Sequence, residues 1–259
     1  MGYESVEYRV EAKVAYIGLN RPQVLNAFNA QLEQDLRSAL EAFDRDEQAW
    51  VAVVYGNGRC FSAGADVKER FYGQERSDRL YDLGLGPRPE GYLGRTLNWK
   101  PVIAAVHGYC LGAGFSLALE CDLIVASEDA RFAITETQRG LSGARVWAKL
   151  HFFMASKVAT EMVLTGEMFS AAELGRLGLI NRVVPQGQHL EEARRLAEKL
   201  LELPPLAVRA GVRATRWPWL KAVLEADYYI QPLRLHMTED FEESSRAFVE
   251  KRKPVYRGK

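Results

Sequence analysis

A chain of 259 residues, 47% hydrophobic and 26% charged, has the length and composition of one large globular domain or of a core domain with an appendage. Lys plus Arg total 34 and Asp plus Glu total 34, a balance that argues against nucleic acid or an anionic membrane as the main partner. Cys60, Cys110 and Cys121 show no C-x-x-C spacing and read as buried thiols of a reducing compartment, no apolar run reaches a membrane-spanning length, and Tyr3 to Glu11 alternates polar with apolar instead of forming a signal peptide, so a cytoplasmic protein is expected.

In chain order, Val6, Tyr8 and Val10 alternate with polar residues and predict an edge strand, and Lys13 to Leu19 predicts a second, with Glu11-Ala12-Lys13 as the hairpin turn. Asn20-Arg21-Pro22 ends it. Asn29 is placed to cap a helix running to Phe43, in which Leu32, Leu36, Leu40 and Phe43 form one apolar stripe. Trp50 to Tyr55 predicts a buried strand stopped by Gly56-Asn57-Gly58. A small-residue turn follows, Phe61-Ser62-Ala63-Gly64-Ala65-Asp66, in which Asp66 is placed to cap the next helix. Residues 71 to 95 carry glycines, prolines and charges, including Gly84-Leu85-Gly86-Pro87-Arg88-Pro89, and predict a surface loop or a mobile helical segment over a pocket. Val102 to Val106 returns to strand and leads into a second small-residue turn, Gly108-Tyr109-Cys110-Leu111-Gly112-Ala113-Gly114-Phe115-Ser116. Leu111 to Glu120 predicts helix, Asp122 to Ala126 strand, and Arg131 to Ile134 a short strand.

From Trp147 onward the pattern is mostly helical: Val158 to Leu164, Ser170 to Leu177 with a Ser170/Glu173 capping box, His189 to Leu203, Leu206 to Arg216, Trp219 to Leu235 and Thr238 to Glu250. The Pro204-Pro205 break divides an α/β core, residues 1–203, from a helical C-terminal region, residues 204–259.

The two small-residue turns carry the functional signal. Each follows a strand and enters a helix, where the first backbone N–H groups have no internal partner. Two such groups converging on one carbonyl oxygen make an oxyanion hole; the alternative is a pair of tight turns packed against a sheet. The histidines His107, His151, His189 and His236 are too far apart in sequence to suggest a metal site, and no flavin or nicotinamide fingerprint is present, so neither metal nor cofactor is expected.

Asn20-Arg21-Pro22 with Leu25-Asn26-Ala27, Phe61 to Lys68, Lys100 to Tyr109, Leu164-Thr165-Gly166 with Gly178 to Pro185, and Phe248 to Pro254 resemble, in order and spacing, the signatures of the crotonase (enoyl-CoA hydratase/isomerase) superfamily. The resemblance implies a spiral of ββα units forming two roughly perpendicular sheets, a helical C-terminal trimerisation region, homotrimers or homohexamers, and an acyl-CoA thioester as substrate. It implies that the N–H groups of Ala65 and Ala113 form the oxyanion hole, with Ala113 standing where the family usually has Gly. It implies a CoA path along Gln23, Val24, Ala63, Gly64, Asp66, Val67, Tyr109, Leu111 and Gly112, with Lys68 toward the phosphates and Phe248 and Lys251 toward the adenine.

Hydratases of this family use two glutamates. Here the second matches Glu136 and the first is replaced by Ser116, which is no general base at neutral pH. Ser116 either holds a water or substrate group or simply packs in its helix, and Glu136 is either the catalytic acid–base group or a helix N-terminal carboxylate. One turn after Ser116, Glu120 reads as a structural ion-pair residue. Arg139 and Arg145 meet a polar acyl group or, the favoured reading, point to solvent; Tyr109, Tyr228 and Tyr229 face an aromatic acyl group or, the favoured reading, belong to the core.

An acyl-CoA enzyme of hydratase type is therefore expected, with a thioester enolate held in the oxyanion hole. The alternatives are a Δ3,Δ2-enoyl-CoA isomerase, a hydratase-lyase on an aromatic enoyl-CoA, and a non-catalytic acyl-CoA-binding homologue. RNA binding, present in one branch of the family, fits poorly with the balanced charge.

Overall fold

Strands with both faces covered read as continuous apolar runs, and Val51–Gly56 is the clearest case: all six residues are buried. In the computed structural model, which describes residues 2–72, 91–93 and 96–259, it sits inside a six-stranded sheet. The sheet order is β1 (Val6–Glu11), β2 (Val14–Leu19), β3 (Val51–Gly56), β4 (Val102–Val106), β6 (Leu123–Ser127) and β9 (Arg182–Val184). The first pair is antiparallel, in register Val6 to Leu19, and the remaining pairs are parallel. A three-stranded sheet contains β5 (Tyr109–Leu111), β7 (Arg131–Ala133) and β8 (Phe169–Ser170). The loop expected over 71–95 lies outside the described residues except for Phe71, Tyr72, Gly91, Tyr92 and Leu93.

Alternation along the strands sorts the core into two layers. Ala52 and Val54 face the helix Ala30–Arg45 with its Leu32, Leu36, Leu40 and Phe43 stripe. Val51, Val53 and Tyr55 face the helix His189–Leu201, through Ala193 and Ala197. Asn29 caps the first of these helices by accepting from the Leu32 N–H at 2.9 Å, and Ser170 with Glu173 forms the expected capping box ahead of Ala171–Arg176.

Several boundaries differ from the sequence expectation. Leu111 ends a strand, and its helix is Ala113–Glu120, because Gly112 at φ 46° and ψ −116° breaks the chain direction between them. Strand β9 is not predicted from the sequence pattern; it is short and, among the described residues, pairs only along β6. The helix starting at Pro205 runs unbroken to Ile230, through Pro218, where a boundary was expected. A proline inside a helix removes a hydrogen bond, and tertiary contacts on either side offset that loss. Arg216 is buried and clamped to Asp122 and to the Lys100 carbonyl, while Trp219, only 3% exposed, packs with Ala148, Leu220 and Val223. Beyond Ile230 the chain makes two 3-10 turns hinged at Arg234, which sits in the left-handed region at φ 46°, and the last helix is Glu239–Val249, capped by Thr238. Among the described residues no helix is long and apolar enough to cross a membrane.

Candidate functional site

Both small-residue turns leave the carboxyl ends of neighbouring parallel strands, β3 and β4, and backbone hydrogen bonds lace them together. Phe61 N–H donates to the His107 carbonyl at 2.8 Å, Ser62 N–H to Tyr109 at 2.8 Å, and Leu111 N–H back to Ser62 at 3.0 Å. The first turn is also pinned to the segment before helix Ala30–Arg45. Phe28 N–H donates to Gly64, Asp66 N–H to Phe28 and Ala63 N–H to Leu25. Asn26 holds this layer from beneath, its Nδ2 donating to the carbonyls of Asn57 and Cys60.

These turns and the helix starts they lead into leave several backbone donors over, Ala65 and Ala113 among them. No acceptor among the described residues is placed on the N–H of Ala65 or of Ala113, although their neighbours Gly64, Asp66 and Gly112 are all engaged. Gly64 brings the turns this close: at φ 94°, a Cβ there would lie 3.0 Å from the Leu111 carbonyl oxygen and 3.7 Å from the Ala113 nitrogen.

Ala113, Ser116 and Glu136 line one cavity of about 280 Å3. Glu136 follows β7 at the start of the 3-10 turn Thr137–Arg139, and its carbonyl accepts from the N–H groups of Arg139 and Leu141. Its carboxylate lies beside Gly112, where a Cβ would come within 3.7 Å of Oε1 and 3.9 Å of Oε2. Oε2 is buried with no hydrogen-bond partner among the described residues. Burial pushes the Glu136 pKa above the ordinary carboxylate value; nearby backbone donors and the Lys149 ammonium act the other way without cancelling it.

Sequence reasoning missed Lys149. It lies on the helix Ala144–Leu150, between the buried Ala148 and Leu150, and is itself buried with its side chain only 3% exposed. Its Nζ donates to Ser116 Oγ at 2.7 Å and to Glu120 Oε1 at 3.0 Å. Glu120 also accepts from the N–H groups of Tyr92 and Leu93, so it is an ion-pair residue as expected and has no freedom to act as a base. The only signal in the sequence was one lysine inside the apolar run Val146 to Leu150.

The favoured reading of two arginines is overturned. Arg145 does not point to solvent: its Nε and Nη2 hold both oxygens of Asp227 in the cavity wall. The Arg139 guanidinium lies 4.1 Å from the Phe248 ring centroid, and burial holds its pKa down. Tyr109, Tyr228 and Tyr229 are not core residues either, being 46%, 76% and 67% exposed. Among the residues expected along a CoA path, Gln23, Val24 and Lys68 are exposed beside the first turn, and Val67 is buried against Phe71 and Phe241. Asp66 caps its short helix through the Glu69 N–H and pairs with Arg21 at 3.1 Å. Lys251 is exposed at φ 54°. Neither it nor Phe248 lines the cavity.

The family model described as enoyl-CoA hydratase/isomerase matches residues 9–259. A probable enoyl-CoA hydratase of Rhizobium meliloti is 37% identical, over 99% of both chains. A 2,3-dehydroadipyl-CoA hydratase of Escherichia coli is 38% identical, over 96% of this chain and 97% of its own. The crystal structure of a carnitinyl-CoA hydratase from Mycobacterium avium superposes with a TM-score of 0.84 at 35% identity, over 99% of each chain.

Proposed function

The chain belongs to the enoyl-CoA hydratase/isomerase family and is a lyase-type acyl-CoA enzyme, and on that premise we propose that it interconverts a 2-enoyl-CoA and its 3-hydroxyacyl-CoA with Glu136 as the single acid–base group. One observation carries this reading. Among the described carboxylates that line the cavity, Glu120, Asp227 and Glu33 are each engaged by a Lys or Arg, whereas Glu136 has no such partner.

In the eliminating direction, the Glu136 carboxylate removes the proton from Cα. The electron pair moves onto the thioester oxygen, which the N–H groups of Ala65 and Ala113 receive. The protonated Glu136 then delivers that same proton to the departing β-hydroxyl, so water leaves as the C2–C3 double bond forms. Hydration runs the sequence backward. One carboxyl is sufficient because it gains in the first step the proton it returns in the second, and burial brings its two forms closer in energy at neutral pH. Ser116 accepts from Lys149, which leaves its own hydroxyl hydrogen to donate to the water or hydroxyl oxygen.

A second reading, Δ3,Δ2 isomerisation, draws support from the same solitary carboxylate, since one group can move a proton between C2 and C4. A panel of 2-enoyl- and 3-enoyl-CoA esters in heavy water separates the two: hydration gives a 3-hydroxyacyl product, isomerisation does not. Absence of both turnover and α-proton exchange across the panel leaves only an acyl-CoA-binding role. Leu206, Trp217 and Leu224 are exposed on the helix Pro205–Ile230, and this supports assembly into a homotrimer or homohexamer, which light scattering measures directly.

A further inference from the structure

We propose that the cavity wall away from the two turns recognises an acidic acyl group, a carboxylate at the far end of the acyl chain; this rests on the acyl-CoA reading of the site. Guanidinium groups stand in this wall among apolar side chains such as Trp219, Val223 and Ile230, so it offers a tail both apolar contact and cationic donors. Arg37, Arg145 and Arg234 all line the cavity that holds Ser116 and Glu136.

Their partners leave N–H donors free on Arg145, and no described carboxylate balances the charge of Arg37 or Arg234. Asp227 occupies Nε and Nη2 of Arg145 and leaves Nη1 with no partner among the described residues. Arg37 donates to the Gly91 carbonyl at 2.9 Å and stands 4.8 Å from the Tyr92 ring centroid, yet no described carboxylate pairs with it. Arg234 has no hydrogen-bonding or ionic side-chain partner among the described residues. Its backbone sits in the left-handed region, at φ 46° and ψ 43°, immediately after the turn Gln231–Leu233, whose first residue also lines the cavity. The conformation is unfavourable for a residue with a Cβ and directs the chain at the point where Arg234 meets the cavity.

An apolar tail in this wall would strip water from guanidinium groups and return no hydrogen bond to them. A carboxylate replaces that water with charge-assisted, often paired N–H···O bonds, the geometry that arginine fits better than lysine. A neutral hydroxyl or phenol satisfies hydrogen bonds and leaves the excess positive charge unmatched.

Binding of unreactive esters tests this apart from the chemistry. Adipoyl-CoA and hexanoyl-CoA have equal chain length and differ in the terminal carboxylate. Titration calorimetry on the wild type should show adipoyl-CoA bound at least tenfold tighter, and Arg234→Gln and Arg37→Gln should each reduce that ratio at least threefold, with the fold checked by circular dichroism. Equal or tighter binding of hexanoyl-CoA, or a preference that survives both variants, overturns the proposal. The turnover panel judges the hydratase reading separately: an enzyme that hydrates hexenoyl-CoA and binds the two saturated esters equally keeps its function and loses this specificity. If neither CoA ester binds, both readings fall.

Discussion

Lys149 places its ammonium 2.7 Å from the Ser116 hydroxyl oxygen, at the position where hydratases with two glutamates carry a carboxylate. The local charge at this corner of the cavity is therefore that of a neutralised Lys149–Glu120 pair with a polarised hydroxyl in front of it. In the proposed mechanism no second base stands there, and proton transfer falls on Glu136.

Replacing Glu136 by Gln is expected to lower kcat by about 10²- to 10⁴-fold, the usual contribution of a positioned acid–base group. Exchange of the α-proton in heavy water should fall with it. Retention of both at wild-type level would remove Glu136 from the mechanism.

The raised pKa of Glu136 has a sign that can be measured twice. The ionised form starts the reaction, so kcat/KM should decline on the acid side with an apparent pKa above 4.5. For stability, the folded chain holds this proton more tightly than the unfolded chain. Its contribution therefore favours the fold below the ordinary carboxylate range and is lost as pH rises through the folded value. Glu136→Gln should accordingly raise Tm at pH 7, the pattern of a residue kept for activity at the expense of stability.

Lys149→Met should destabilise the fold by about 3 kcal/mol, because it strands the Glu120 carboxylate in a buried site. The double variant Lys149→Met/Glu120→Gln should recover most of that in chemical denaturation. Activity should not recover with it, since Ser116 has then lost its donor, and the acid limb of kcat/KM should move upward because the ammonium no longer favours ionised Glu136. A double variant as active as the wild type would make the Lys149–Ser116 contact purely structural.

Gly64→Ala should cost about 1–3 kcal/mol, since φ of 94° is a region that residues with a Cβ rarely adopt. The added methyl would press on the Leu111 carbonyl and separate the two turns. Turnover should fall more steeply than stability; equal loss of both would argue against a role for the paired N–H groups.

His189 stacks on His107 with ring centroids 4.5 Å apart, and burial, with a smaller contribution from His107, holds its pKa down to about 4. Asp129 opposes this only weakly. The unfolded chain takes up a proton near pH 6.5 and the folded chain does not, so stability should fall by roughly 3 kcal/mol between pH 6.5 and 4 and then level off. His189→Gln should flatten that window in urea titrations.

Much of this architecture was legible in local pattern. The six apolar residues of β3 announced a doubly covered strand, the Leu32, Leu36, Leu40 and Phe43 stripe announced its covering helix, and Ser170 with Glu173 marked a cap, because each depends on neighbours a few residues away. The boundary at Pro218 was misread because propensity is local, while the clamp of Arg216 on Asp122 spans 94 residues. In the same way, Arg145 read as a solvent-facing charge because nothing near it in the chain points to Asp227.

The sequence by itself determined the family, the two small-residue turns and the match of Glu136 to the family's second glutamate, since these are motifs whose meaning lies in spacing. Only the tertiary structure decided what surrounds that carboxylate. Ser116, Glu120 and Lys149 meet because separate helices cross at the cavity, and Arg37, Arg145 and Arg234 come from three segments of the chain. Charges brought together across such distances leave no periodicity in the sequence, and they are what sets the chemistry of the pocket.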